Sequence, residues 1–339
     1  MVRDAISITT TTVSAAGRPP TYGEIALIGT GGGGSQPDAT NRLCVDIDEV
    51  ETYFGAGSDI AEAAAIIFGR GVRQIRCTRA ASTSDVDLEA AIDEMEDEDI
   101  DFLIYANVFL ESSTTSQFDA IIGRCDTNNW LHVIGASGTV ATMQTDFGNL
   151  TDSQNVVGVA AKTNDDIAAA VAAEYSLKKP WEKMMWMEVS GVTLSDYYSP
   201  SDVDSLEAGD PPINVVIAKR GTDVVSDGLT TKGGDYKYVD ITRTRYWLEE
   251  LIEDRLEGLL MASEVPFDES GLSQIESKIA EACNSLLEDG GITNYVIDMP
   301  LLSSISAADK ANRVLNDVKV TVTLAGHVQS ISISLNLVI

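Results

Sequence analysis

Between residues 25 and 220, short apolar runs alternate with stretches whose apolar residues recur every three or four positions. The runs EIALIG, QIRCTR, DFLIYANVF, WLHVIGA, NVVGVAA, MMWMEV and INVVIAKR have the length and apolar content of buried strands. Helical stretches fall between them. SDIAEAAAIIFGRG has Ser58 as its N-cap, apolar residues stacked towards Phe68, and Gly69 or Gly71 as its stop. SDVDLEAAIDEMEDED repeats Val86, Leu88, Ile92 and Met95 along one helical face. TTSQFDAIIGRC and NDDIAAAVAAEYSLKKP follow the same logic, the latter ended by Pro180. Strands alternating with helices predict an α/β body built on a largely parallel, layered sheet.

Both ends of the chain break this pattern. In AISITTTTV, Ile6, Ile8, Thr10 and Thr12 share one face of a strand. SAAGRPPTYG follows as a linker, with Gly17, Pro19 and Pro20 as breakers. A lone strand on a linker leaves its backbone groups unsatisfied, so it must pair with something. From Gly221, GTDVVSDGLTTKGGDYKYVD reads as a loop or hairpin. A long helix is then expected from about Arg243 to Ala262, carrying Trp247, Leu248, Leu251, Ile252, Leu259 and Leu260. A second begins near Ser270, with a stripe of Leu272, Ile275, Ile279, Ala282 and Leu286, and stops at Gly290 and Gly291. DVKVTVTL alternates Val318, Val320, Val322 and Leu324. After AGH, the run VQSISISLNLVI alternates Ile331, Ile333, Leu335, Leu337 and Ile339 with Ser332, Ser334, Asn336 and Val338. No charge or proline blunts that last strand, so it too is expected to be paired. The chain divides into an arm and linker (1–20), an α/β body (21–220) and a C-terminal unit (221–339), α+β overall.

Charge changes the picture. The chain has 53 acidic and 23 basic residues, a formal net charge of −30. Phosphate binding needs a basic footprint, so a nucleic-acid partner is not expected. Self-repulsion at this charge destabilises a compact state in dilute buffer. At ~1 M salt the Debye length falls to ~3 Å and the repulsion is screened. Only 10 of the basic residues are lysine, and the composition suits a salt-saturated cytoplasm. No apolar run spans a bilayer, and MVRDAISITTTTV lacks a signal-peptide core. A soluble chain folded inside a cell, with no membrane insertion, is expected.

Candidate chemistry is sparse. Five glycines, Gly29 and Gly31 to Gly34, follow the first apolar run. No Lys-Ser/Thr follows them, so they are not a P-loop. Gly29, Gly31 and Gly34 match G-x-G-x-x-G, but that motif must open a helix whose N-terminus holds a pyrophosphate. Here SQPDATNRLCVDIDEV follows, with a proline and a return strand, and no helix is expected until well past Glu51. A flexible connection between strands outweighs the alternative of a nucleotide-binding α/β enzyme. Arg70, Arg73, Arg76 and Arg79 form the densest basic patch, expected to face the nearby acidic stretch DEMEDEDID, and internal or intersubunit ion pairing outweighs anion binding. Cys44, Cys77, Cys125 and Cys283 are far apart and read as small buried hydrophobes. His132 and His327 lie in apolar contexts with no partner motif. No metal, cofactor or catalytic residue is expected.

Three stretches together resemble the tail sheath proteins of contractile phages and related injection systems. GEIALIGTGGGGS with VETYFGAGSDIAEAAAIIFGRGVRQIRCTRA resembles their strand, Gly-rich loop, Phe-Gly element, helix and strand. SDGLTTKGGDYKYVDITRTRYWLEELIEDRL is similar to their turn, Tyr-rich strand, Asp-Ile-x-Arg step and long helix. VPFDESGLSQIESKIAEACNSLLEDGGI, with the closing VKVTVTLAGHVQSISISLNLVI, resembles their helix and terminal hairpin. The resemblance implies a structural subunit, not an enzyme. It implies an N-terminal arm and C-terminal strand that reach into neighbouring copies and complete shared sheets. Ile6, Ile8, Thr10, Ile331, Ile333, Leu335 and Leu337 would make that joint, with Gly17, Pro19 and Pro20 as a hinge. The strand before AGH would stay with its own subunit, and residues 100–210 would form the outer part of the body. The polar side of the first long helix, with Arg243, Arg245 and Arg255, would face an inner tail tube. The implied partners are further copies in six-fold stacked rings, the tube, and baseplate and tail terminator proteins. The implied particle is the virion of a haloarchaeal tailed virus, assembled in the host cytoplasm, or a cellular injection device.

Overall fold

The computed structural model describes residues 23–162 and 166–327. The chain folds in the order β1 (Ile25–Gly29), β2 (Asn41–Cys44), α1 (Ile47–Phe54), α2 (Asp59–Gly69), β3 (Ile75–Arg79), α3 (Asp85–Asp93), β4 (Phe102–Tyr105) and α4 (Thr115–Asn128). There follow β5 (Leu131–Ala136), α5 (Val140–Gly148), β6 (Val156–Ala160), α6 (Ile167–Ser176), α7 (Pro200–Glu207), β7 (Asn214–Lys219) and β8 (Thr222–Val225). The C-terminal part holds α8 (Val239–Ala262), α9 (Glu269–Asp289), β9 (Ile292–Asp298), α10 (Ala307–Asn312) and β10 (Lys319–Leu324).

Eight strands form one sheet in the order β2-β3-β1-β4-β5-β6-β7-β8. From β3 to β7 the pairing is parallel, and β2 and β8 close the two edges antiparallel. The central strands are apolar on both faces because helices cover both faces. Ile25 and Leu27 point into a core with Phe54, Ile60, Ile67 and Tyr175, from α1, α2 and α6. Ala26 and Ile28 point into the opposite core with Leu88, Ile92, Phe118, Phe147 and Leu206, from α3, α4, α5 and α7. Residue 221 falls inside the hairpin that joins β7 to β8, so the sheet continues past it.

The structure corrects several expectations. A helix does start before Glu51: Asp46 caps α1 by accepting the Glu49 N–H at 2.8 Å. MMWMEV is not a strand; its backbone bonds to β8 at Val225 and Asp223 and forms one isolated bridge, Glu188 to Val224, without continuing as a ladder. Val86 is 75% exposed. It lies two positions from Leu88, half a helical turn away, whereas Ala91, Ile92 and Met95 follow at the spacing that shares a face. Helix α8 begins at Val239, four residues earlier than expected, and Asp268 rather than Ser270 caps α9, accepting the Gly271 N–H at 2.9 Å. All four cysteines are buried and free, as expected.

Candidate assembly site

Helices α8 and α9 form a hairpin with its own small core: Trp247, Leu248 and Leu251 meet Ile279, Ala282, Cys283 and Leu286. Gly290 ends α9 in the left-handed conformation (φ 80°), where a side chain would be strained, and turns the chain into β9. Strand β10 pairs antiparallel with β9, with Val320 opposite Ile297 and Val322 opposite Tyr295. One face of this ribbon, Tyr295, Ile297, Val318, Val320, Val322 and Leu324, packs against the hairpin. The other face is open, and Val296 there is 58% exposed. Among the described residues no third strand pairs with the ribbon. A two-stranded ribbon with open edges is a template for further strands. The expectation that the strand before AGH stays with its own subunit concerns β10, which pairs within its own chain.

Both chain ends leave the described structure beside one short stretch. Gly23 sits against Ser176 so tightly that a Cβ would overlap the Ser176 carbonyl. His327 Nε2 lies 2.6 Å from the Trp181 carbonyl. Between these contacts, Arg243 of α8 donates to the carbonyls of Tyr175 (3.2 Å) and Lys178 (3.3 Å). The predicted exchange residues Ile6, Ile8, Thr10, Ile331, Ile333, Leu335 and Leu337, and the hinge Gly17, Pro19 and Pro20, lie outside the described residues. The described chain begins at Gly23 and stops at His327, and both residues contact the stretch from Ser176 to Trp181, which Arg243 ties to α8 through the Lys178 carbonyl, at the seam between body and hairpin.

The three arginines of α8 differ in placement. Arg243 is 4% exposed and lies 4.4 and 5.0 Å from the ring centres of Tyr175 and Phe102. It ties helix to body and cannot present its charge outward, which corrects the expectation for this residue. Arg245 is half-buried and pairs with Glu249 at 2.8 Å. Arg255 is exposed, 3.8 Å from Asp254.

Carboxylates crowd the same seam. Burial pushes the Asp101 carboxyl up to about 7, helped by Asp99 and opposed by Arg243 and the backbone N–H groups of Glu24 and Gly23. Burial, then Asp99, Asp101, Asp254 and Glu253, pushes Glu250 up to about 8. Sequence reasoning missed this cluster, because residues 99–101 and 250 meet only in the fold.

The glycine run has a structural task. Gly32 N–H donates to Phe54 O (2.7 Å), Ser35 N–H to Thr52 O (3.3 Å) and Gln36 N–H to Tyr53 O (2.7 Å). The loop therefore satisfies the last carbonyls of α1, and its donors face carbonyls rather than an anion. It is pinned, not flexible: a Cβ on Gly34 would overlap the Tyr53 carbonyl. At the carboxyl ends of the strands, where open α/β sheets bind ligands, lies a cavity of about 380 Å³ lined by Glu62, Asn107 and Asp166. Burial raises the Asp166 carboxyl to about 6, and an acidic lining repels phosphate. Three of the four patch arginines pair internally: Arg70 with Glu174 (2.5 Å), Arg76 with Glu98 (2.8 Å) and Glu24 (3.5 Å), and Arg79 with Asp38 (2.9 Å), so only Arg76 meets the acidic stretch expected to face the patch.

No family model and no curated protein sequence matches the chain. Solved structures do. The contracted sheath complex of the extracellular contractile injection system PVC aligns over 98% of this chain and 95% of its own, with TM-score 0.75 and 12% identity. The contracted helical sheath of the anti-feeding prophage aligns over 100% and 98%, with TM-score 0.72 and 14% identity. A sheath tail protein from Listeria innocua aligns over 91% and 97%, with TM-score 0.62 and 10% identity. The chain has the fold of contractile sheath proteins along essentially its whole length. That fold includes the ribbon and seam as well as the α/β body.

Proposed function

We propose that the chain is the subunit of a contractile sheath, which polymerises around an inner tube and shortens to drive it through a target envelope. The observation that carries this reading is the ribbon: among the described residues no third strand pairs with β9 and β10, and Gly23 and His327, the first and last described residues, both contact the stretch from Ser176 to Trp181. Strands from neighbouring copies would add to β9 and β10, with main-chain hydrogen bonds joining subunits and alternate side chains setting register. Ile6, Ile8 and Thr10 come from one neighbour, and Ile331, Ile333, Leu335 and Leu337 from another. Gly17, Pro19 and Pro20 let the arm swing while the joint holds. The work is mechanical, with energy stored in contacts between bodies that improve on contraction. Bodies rotate and repack between two arrangements, and the part of residues 100–210 away from the seam rides on the outside.

Arg245 and Arg255 on α8 face the tube, in six-fold rings closed by baseplate and terminator proteins. The acidic composition supports a halophilic source and the virion of a haloarchaeal tailed virus, assembled in the host cytoplasm. A cellular or extracellular injection device is the second reading, favoured by the likeness to the PVC and anti-feeding prophage sheaths. Deleting residues 1–17 tests the joint. The truncated chain should melt as the full chain does yet fail to form polymers. Polymers indistinguishable from those of the full chain would refute the exchanged arm.

A further inference from the structure

Several surface cations of this acidic chain form ion pairs within their own fold. Arg124 meets Glu89, Asp93 and Glu96; Lys162 meets Asp196; Lys179 meets Asp289; Lys278 meets Glu281. Among the cations without an ion pair, one group gathers round an exposed aromatic ring. Lys183 and Lys219 gather round the ring of Trp186, with ammonium groups 5.0 and 3.2 Å from its centre. Arg220 follows Lys219 on the exposed β7–β8 turn. The local carboxylates are occupied elsewhere: Glu182 faces Lys178, Glu188 accepts from the Ser190 hydroxyl, and Asp223 accepts from the Tyr197 hydroxyl. Among the described residues, none stands within ion-pairing distance of Lys183, Lys219 or Arg220.

Trp186 is held outward by the fold. Its φ is +64°, a left-handed conformation that a bulky side chain seldom adopts. Its N–H donates to Val225 O at 2.7 Å, and Val225 N–H donates to Met187 O at 2.9 Å. These bonds lock the segment to β8 while Met184 and Met187 enter the core. The tryptophan between them is left 44% exposed. An exposed tryptophan flanked by unpaired cations has the composition of an interface anchor rather than of ordinary surface.

We propose that Lys183, Trp186, Lys219 and Arg220 form the surface through which one copy of the chain grips the acidic surface of the next. The inference rests on the assembly reading above. Charge selects the occupant. Copies that each carry a net charge of −30 repel in dilute buffer, and a cationic face lowers that repulsion where two copies meet. A basic patch that meets an acidic patch elsewhere on an identical molecule makes a head-to-tail contact, which propagates into rings or helices rather than closing a dimer. With cations scarce, their position sets the register of the contact.

The test compares the full chain with Trp186→Ala, with Lys183→Gln/Lys219→Gln, and with Lys183→Arg/Lys219→Arg. Self-association is followed by sedimentation and electron microscopy across a salt series, with thermal melts to verify folding. Trp186→Ala, which leaves net charge unchanged, and the glutamine pair should each raise the concentration needed for assembly by about tenfold or more. The arginine pair should assemble as the parent does. Folded alanine and glutamine variants that assemble at the parent's concentration and salt dependence would overturn the docking surface and leave the sheath reading intact. A parent chain that stays monomeric at every salt concentration would overturn both.

Discussion

Arg243 holds α8 to the body with charge as well as apolar packing. Its guanidinium reaches two carbonyls at the end of α6 and lies over two aromatic rings. Nothing local in ITRTRYW separates it from Arg245, two residues on, because inward or outward direction depends on what the helix packs against. Arg243→Ala should therefore destabilise the monomer by about 3 kcal/mol in chemical denaturation, since two buried carbonyls lose a charged donor. An equal loss in Arg245→Ala would contradict this placement. Glu250 and Asp101 supply a pH prediction. Their folded pKa values, about 8 and about 7, exceed the ordinary 4.5 and 3.8. The folded chain thus holds protons that the unfolded chain has released, so stability falls as pH rises from about 4.5 through 8. Glu250→Gln should flatten the decline between pH 6 and 9 and stabilise the chain at pH 8.5 by at least about 1 kcal/mol. An unchanged pH profile would show that Glu250 is not the titrating group. His132 acts in the opposite sense. Burial lowers it to about 4, and its Nδ1 faces the Leu103 carbonyl at 2.8 Å, so its contribution is lost as pH falls from 6.5 towards 4.

At the scale of elements, periodicity located the parallel strands and most helices because each buries a face whose spacing shows in the chain. The misses have physical causes. MMWMEV is apolar enough for a strand, but a left-handed Trp186 divides it, and only Met184, Met187 and Val189 are buried. Strand β9, ITNYVID, was not foreseen. It buries Ile292 and only partly covers Tyr295 and Ile297, leaving a weak alternation. The glycine run was legible as structural, but its rigidity was not, since its partners are carbonyls of a helix beginning thirteen residues past Gly34. Gly34→Ala should cost about 2 kcal/mol or more, because the added methyl meets backbone rather than a movable side chain. Thermal melting checks this, and a neutral result would mean the loop has room to yield.

At the scale of the molecule, an acidic body carries a helical hairpin and a two-stranded ribbon with which, among the described residues, no third strand pairs. Alternation at the two ends marks candidate exchange residues, but that the first and last described residues contact one stretch does not show in the sequence. Gly23 and His327 are 304 positions apart and are brought together by Ser176 and Trp181. Net charge makes salt a second variable at this scale. Screening at ~1 M should keep copies from repelling, and dialysis to dilute buffer should lower the melting temperature or dissociate polymers; identical melts in both would remove the halophilic argument. The most direct measurement is electron microscopy of the purified chain in molar salt. The account predicts hollow, helically ridged tubes. A monodisperse small particle, unchanged at high protein concentration, would contradict it.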